Sequence, residues 1–226
     1  MKEVALINAD QKVTALVNRY TLKEELFSSI SHGIGALLSI AALVVLVCFA
    51  GIKGDVWGIV SFSIYGFTLF FLYLSSTLYH GIMLEKAKKV FRVFDHVSIY
   101  LLIAGSYTPI TLVAMRGTWG WTIFGLIWGL ALLGIVLNII SIEKTKVFST
   151  VLYVLMGWLI IIAVKPMLQI IPAGLFTSLL TGGIIYTLGV IFYICKKIPF
   201  NHGIWHLFVL GGSIAHYLGF LFYLAV

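Results

Sequence analysis

Residues 31–50 read SHGIGALLSIAALVVLVCFA, a stretch with no acid, lysine or arginine and one histidine near its start. At about 1.5 Å of helical rise per residue, a run of this length covers the ~30 Å hydrocarbon core of a bilayer. Working outward between charges and Gly, Pro or Asn breaks gives seven such runs, near 31–50, 57–80, 93–114, 118–140, 148–165, 171–195 and 203–225. They leave 1–28 as a mixed polar and charged arm and make 29–226 one all-α bundle, a polytopic protein of the plasma membrane with seven transmembrane helices. Only Lys165 and Pro166 separate the fifth run from the sixth before Gln169 and Pro172, yet joining the two would make a helix far longer than a bilayer is thick.

Composition agrees. Of 226 residues 61% are hydrophobic and only 10% charged, and the mean hydropathy is +1.09. A soluble domain carries about a quarter charged residues. A water-exposed globule, a disordered chain and a disulfide-stapled module are excluded. Nucleic-acid binding does not explain the net charge of +7, because no basic cluster lies on a polar domain. Cys48 and Cys195 sit in or at the end of apolar runs and read as small buried hydrophobes. The first thirty residues do not read as a signal peptide, so the arm is expected to be retained.

The charge is topological. Lys2, Lys12, Arg19 and Lys23, then Lys86, Lys88, Lys89 and Arg92, then Lys144 and Lys146, then Lys196 and Lys197 fall on the arm and the even-numbered loops, 12 of the 15 cations. Lys53, Arg116 and Lys165 fall on the odd ones. Positive loops stay on the cytoplasmic side, so the N-terminus is expected inside and the C-terminus outside.

Ionisable groups within a span are costly and face a protein interior or a water-filled cavity. His80 ends the second run, Asp95 opens the third, and His202 and His206 open the seventh, so all four share the cytoplasmic end. His202 and His206, four residues apart, project from one helix face. His80 offers a third nitrogen, and Ser76, four residues earlier, shares its face. Three histidines without cysteine suit Zn2+ in the open arrangement of a catalytic site. His32 and His96, taken alone, read first as interfacial or hydrogen-bonded residues; both, with His216, are also candidates for supporting the site from behind its ligands. His216 lies deeper and is either a second polar position in the cavity or a helix-to-helix hydrogen bond, the latter reading first. Asn138 reads as capping or interfacial. Ser106, Thr108 and Pro109 read as a kink whose hydroxyls satisfy carbonyls freed by the proline, and the glycines as points of close helix approach.

These residues carry a resemblance over nearly the whole chain from about Glu24. Glu24, Glu25 and SISHGIGALL at 29–38, SSTLYH at 75–80, Phe94-Asp95-His96, AGSYTP at 104–109, and HGIWH at 202–206 followed by His216 are its marks. The chain resembles the hemolysin III branch of the progestin and adipoQ receptor family, within a superfamily of seven-helix membrane hydrolases that includes alkaline ceramidases. The resemblance implies that His80, His202 and His206 bind zinc, that Asp95 holds the water on that metal, and that Ser76 is the serine of the S-x3-H motif. It implies a zinc-dependent hydrolase of lipid amide or ester bonds, with a membrane lipid as substrate and no obligatory protein partner. Two other readings stand beside it: a membrane-perturbing or pore-forming protein, as the family's name implies, and a membrane-homeostasis sensor whose zinc is structural.

Overall fold

The computed structural model describes residues 20–226. Lys2, Lys12 and Arg19, part of the charge assigned to the arm, lie outside the described residues. Among the described residues, seven helices are long and apolar enough to cross a bilayer: α1 (Leu22–Lys53), α2 (Val56–Gly81), α3 (Glu85–Ala114), α4 (Thr118–Ile140), α5 (Ile142–Ile170), α6 (Ala173–Ile194) and α7 (Asn201–Ala225).

Several begin earlier than the apolar runs do, for local reasons. α1 starts inside the expected arm because Thr21 caps it. The Thr21 hydroxyl accepts from the Glu24 N–H at 3.3 Å, and the Glu24 carboxylate accepts from the Thr21 N–H at 2.8 Å, a reciprocal pair that satisfies two otherwise orphaned donors. α3 starts at Glu85 rather than near 93. Lys86, Lys88, Lys89 and Arg92 are therefore helical, not loop residues, and Lys88 and Arg92, four apart on one face, are buried. Each is held there by an acid, Lys88 by Glu25 and Arg92 by Glu143.

α5 runs past Lys165 and Pro166, so the boundary expected there is displaced to Ile171 and Pro172. Its backbone tightens to a 3₁₀ stretch over Leu159–Ala163 and restarts at Val164. Pro166 thus occupies a first turn, where a missing N–H costs no helical bond.

α1 to α4 pack in chain order, α7 closes against α1, and α6 lies along α7, while α5 meets α4 and α3 and only brushes α6. α3 is the most enclosed helix and α6 the least. The two ends of the bundle are pinned separately. Ser29 donates to the Thr77 carbonyl at 3.1 Å at one end, and Lys53 donates to the Val226 carbonyl at 2.6 Å at the other.

Close approach uses small residues, as expected for glycines. A Cβ on Gly66 would lie 3.0 Å from the Leu43 Cα, so α2 meets the backbone of α1 there. Gly66→Val is expected to lower the melting temperature of detergent-solubilised protein, by an overpacking cost of about 1–3 kcal/mol. An unchanged melt would mean that the helices do not approach this closely.

In α3 the hydroxyls of Ser106 and Thr108 bond the Ile103 and Ala104 carbonyls at 2.8 and 3.0 Å, and beyond Pro109 the helix widens to a π turn over Ile110–Ala114. Asn138 is not the cap of α4, which is Ser141. It is buried, and its amide donates to Ser149 Oγ at 2.7 Å, tying α4 to α5 in a region where a polar amide needs a partner. Cys48 is exposed on the outer face of α1 and Cys195 is half-buried at the end of α6, so neither is a buried core residue; a thiol is a small, weakly polar group that needs no partner at such a position.

Candidate metal centre

The end of α2 and the start of α7 meet beside the start of α1. α7 is set in place by its entry. Phe200 adopts a left-handed backbone (φ 56°), and its N–H donates to Glu24 Oε1 at 3.2 Å, so the carboxylate that caps α1 also anchors α7. His202 and His206 follow on one face, and His80 comes from α2. All three are buried.

Their Nε2 atoms converge. His202 Nε2 lies 3.1 Å from His80 Nε2 and 3.2 Å from His206 Nε2, and one nitrogen from each of the three falls within 4.8 Å of the other two. The opposite ring nitrogens explain the orientation. His80 Nδ1 lies 2.6 Å from Glu25 Oε2, and His206 Nδ1 lies 3.3 Å from the Ser28 carbonyl. Both acceptors require a proton on Nδ1, which leaves the Nε2 lone pairs of His80 and His206 pointing inward. A single His202 N–H shared between two acceptors would satisfy neither well. A cation satisfies all three: nitrogens about 2.0–2.1 Å from one tetrahedral ion, the bond length zinc makes, are roughly 3.3 Å apart. The donor set therefore fits a metal ion.

Glu25 is the residue that sequence reasoning did not place in the site. It is 3% exposed at the start of an apolar helix. One carboxylate oxygen meets His80 and the other accepts from Lys88 Nζ at 2.8 Å. A carboxylate behind a ligating imidazole fixes its tautomer and orientation. A signal was available: Ser28 and His32 follow at i+3 and i+7, so one inward face of α1 carries all three.

The other candidates fall around this trio. Ser76 is buried one turn before His80, and its Oγ has no hydrogen-bond partner among the described residues. His32 stacks on His206 with ring centroids 3.6 Å apart, supporting it from behind, and both its ring nitrogens are buried. His96 Nδ1 donates to the Arg92 carbonyl at 2.9 Å and lies 3.7 Å from Asp95 Oδ2. Asp95 lies outside the cluster of converging ligand atoms. It lines an apolar cavity together with His32, His96, His202 and His206, and the cavity continues to His216. His216 Nε2 donates to the Leu179 carbonyl of α6 at 3.2 Å, the helix-to-helix bond expected of it.

Fold and site together define a multi-pass integral membrane protein with a buried three-histidine centre able to hold a metal. A model of haemolysin-III related proteins matches residues 20–217, and the chain belongs to that family. It is 52% identical over 204 residues to the hemolysin-3 homolog of Bacillus subtilis (strain 168), covering 90% of this chain and 96% of that one. Against hemolysin-3 of Bacillus cereus the identity is 48% over 202 residues, covering 89% and 92%. The monocyte to macrophage differentiation factor of Homo sapiens is 32% identical over 195 residues, covering 84% and 81%. The family and the seven apolar helices agree with the expected place in the plasma membrane.

Proposed function

We propose that the protein is a zinc-dependent hydrolase of lipid amide or ester bonds, working at the cytoplasmic end of the bundle. The observation that carries this reading is the convergence of three Nε2 atoms, two of them on histidines that line an apolar cavity together with Asp95. Zinc, when bound, would bring the pKa of a water toward neutrality and polarise a carbonyl. His80, His202 and His206 would hold it, with Glu25 and the Ser28 carbonyl fixing two of the rings. Asp95, outside the ligand set, is free to accept the proton of the attacking water and return it to the leaving group. Ser76 Oγ, buried one turn before His80 and without a hydrogen-bond partner among the described residues, has a hydroxyl to offer at the histidine centre. Between Ile99 and Val209 the cavity wall is mostly apolar, which suits the chain of an amphiphile whose polar linkage stays at the histidines. The same lining argues against a water-filled pore, which needs polar groups along its length. The substrate is thus a membrane lipid, and neither nucleic acid nor a protein partner is required.

Elemental analysis of purified protein beside a His202→Ala variant tests the metal, and a panel of ceramides, phospholipids and acyl amides tests the reaction. Zinc near one per chain, lost in the variant, with hydrolysis of one lipid class is the expected result. Zinc binding with no hydrolysis across the panel would overturn the enzyme reading.

A further inference from the structure

His216 is held by one nitrogen and unexplained by the other. With Nε2–H committed to the Leu179 carbonyl, Nδ1 is an acceptor, and it is buried without a partner among the described residues. Gly182 makes the ring's position possible: a Cβ there would strike the imidazole, so the ring lies in a notch of α6 that no other residue would leave open. The neighbouring polar groups are already engaged elsewhere. Tyr186, whose ring meets His216 edge-on at 5.5 Å, shares its hydroxyl with Ser213 at 2.8 Å. The Trp158 indole N–H donates to Thr187 at 3.0 Å. A helix-to-helix bond alone needs only one donor, and it leaves the second ring nitrogen as a buried acceptor, which costs about 1–3 kcal/mol when unmet.

His216 lines the same cavity as Asp95, His202 and His206. Ten residues along α7 from His206 place it about 15 Å from the converging nitrogens. At roughly 1.2 Å per bond, the pitch of an extended backbone, that distance is about a dozen chain bonds. Resting on the proposed function, we infer that the far end of the cavity is a second recognition site, in which His216 Nδ1 accepts a hydrogen bond from a hydroxyl on the lipid chain about a dozen bonds from the group held at the histidines. The preferred ligand is a hydroxylated acyl chain rather than a plain hydrocarbon one.

Two substitutions separate recognition from packing. His216→Gln keeps an amide N–H near the Nε2 position, able to bond Leu179, and loses the acceptor at Nδ1. His216→Asn puts an acceptor oxygen near Nδ1 and loses the Leu179 bond. The experiment measures binding of dodecanoate and 12-hydroxydodecanoate to purified protein by quenching of tryptophan fluorescence, Trp158 and Trp205 both lining the cavity. The hydroxylated chain is expected to bind the wild type about fivefold more tightly or better. The preference should vanish in His216→Gln and persist in His216→Asn, with melting temperatures checked for both. Equal binding of the two chains by the wild type, or a preference that survives in His216→Gln, overturns this inference and leaves the lipid reading standing. Binding of neither chain overturns both.

Discussion

On the proposed hydrolase reading, protein carrying Asp95→Asn is expected to hold as much zinc as the wild type and to turn over lipid about 10²–10⁴-fold more slowly, the usual contribution of a positioned proton acceptor. The two halves of this expectation come from different facts. Asp95 lies outside the three converging ligand nitrogens, so removing its charge takes no bond from the metal. It lines the same cavity as His202 and His206, the cavity that the proposed substrate would occupy. Asparagine keeps the shape and the hydrogen-bonding reach of the side chain but has no basicity. Elemental analysis and turnover on one sample make the comparison. Loss of zinc would make Asp95 a ligand, and an unchanged rate would remove it from the chemistry. The sensor reading predicts something else: His202→Ala would lower the melting temperature with no catalytic loss separable from unfolding.

The site was legible in the sequence wherever side-chain type and depth coincided. His80, Asp95, His202 and His206 stand at run ends that positive charge places on one side; the three histidines converge, and Asp95 shares a cavity with two of them. What escaped were residues whose role depends on a partner far along the chain. Lys88 and Arg92 look like solvated loop cations, because a sequence window cannot show Glu25 or Glu143 opposite them. Glu25 looks like part of a polar arm for the same reason. Asn138 looks terminal until Ser149 is seen across the α4–α5 contact. Helix ends were misjudged where polar residues continue a helix past its apolar stretch. The capping pair Thr21 and Glu24 extends α1 outward, and a 3₁₀ stretch lets α5 absorb a proline that otherwise reads as a stop.

Glu25→Ala is expected to damage the protein twice, and the two losses can be told apart. Lys88 is 2% exposed and sits against the Glu25 carboxylate. Removing the acid leaves a buried ammonium uncompensated, a loss of about 3–5 kcal/mol. The same truncation frees His80 to rotate and change tautomer, because nothing else is seen to hold its Nδ1. Losing the group that orients a ligating imidazole typically costs 10–100-fold in metal affinity. In the double variant Glu25→Leu with Lys88→Met the buried charge is gone as well as the carboxylate, and an apolar pair of similar volume replaces the ion pair. Stability should then recover toward the wild type, since exchanging a buried ion pair for packed apolar groups is often neutral. Zinc affinity should remain low, because His80 still lacks its acceptor. Thermal melts and competition with a chelator read the two quantities independently. Recovery of both in the double variant would mean that Glu25 serves only to neutralise Lys88, and that His80 is oriented by packing against Tyr79 and the facing rings of His202 and His206.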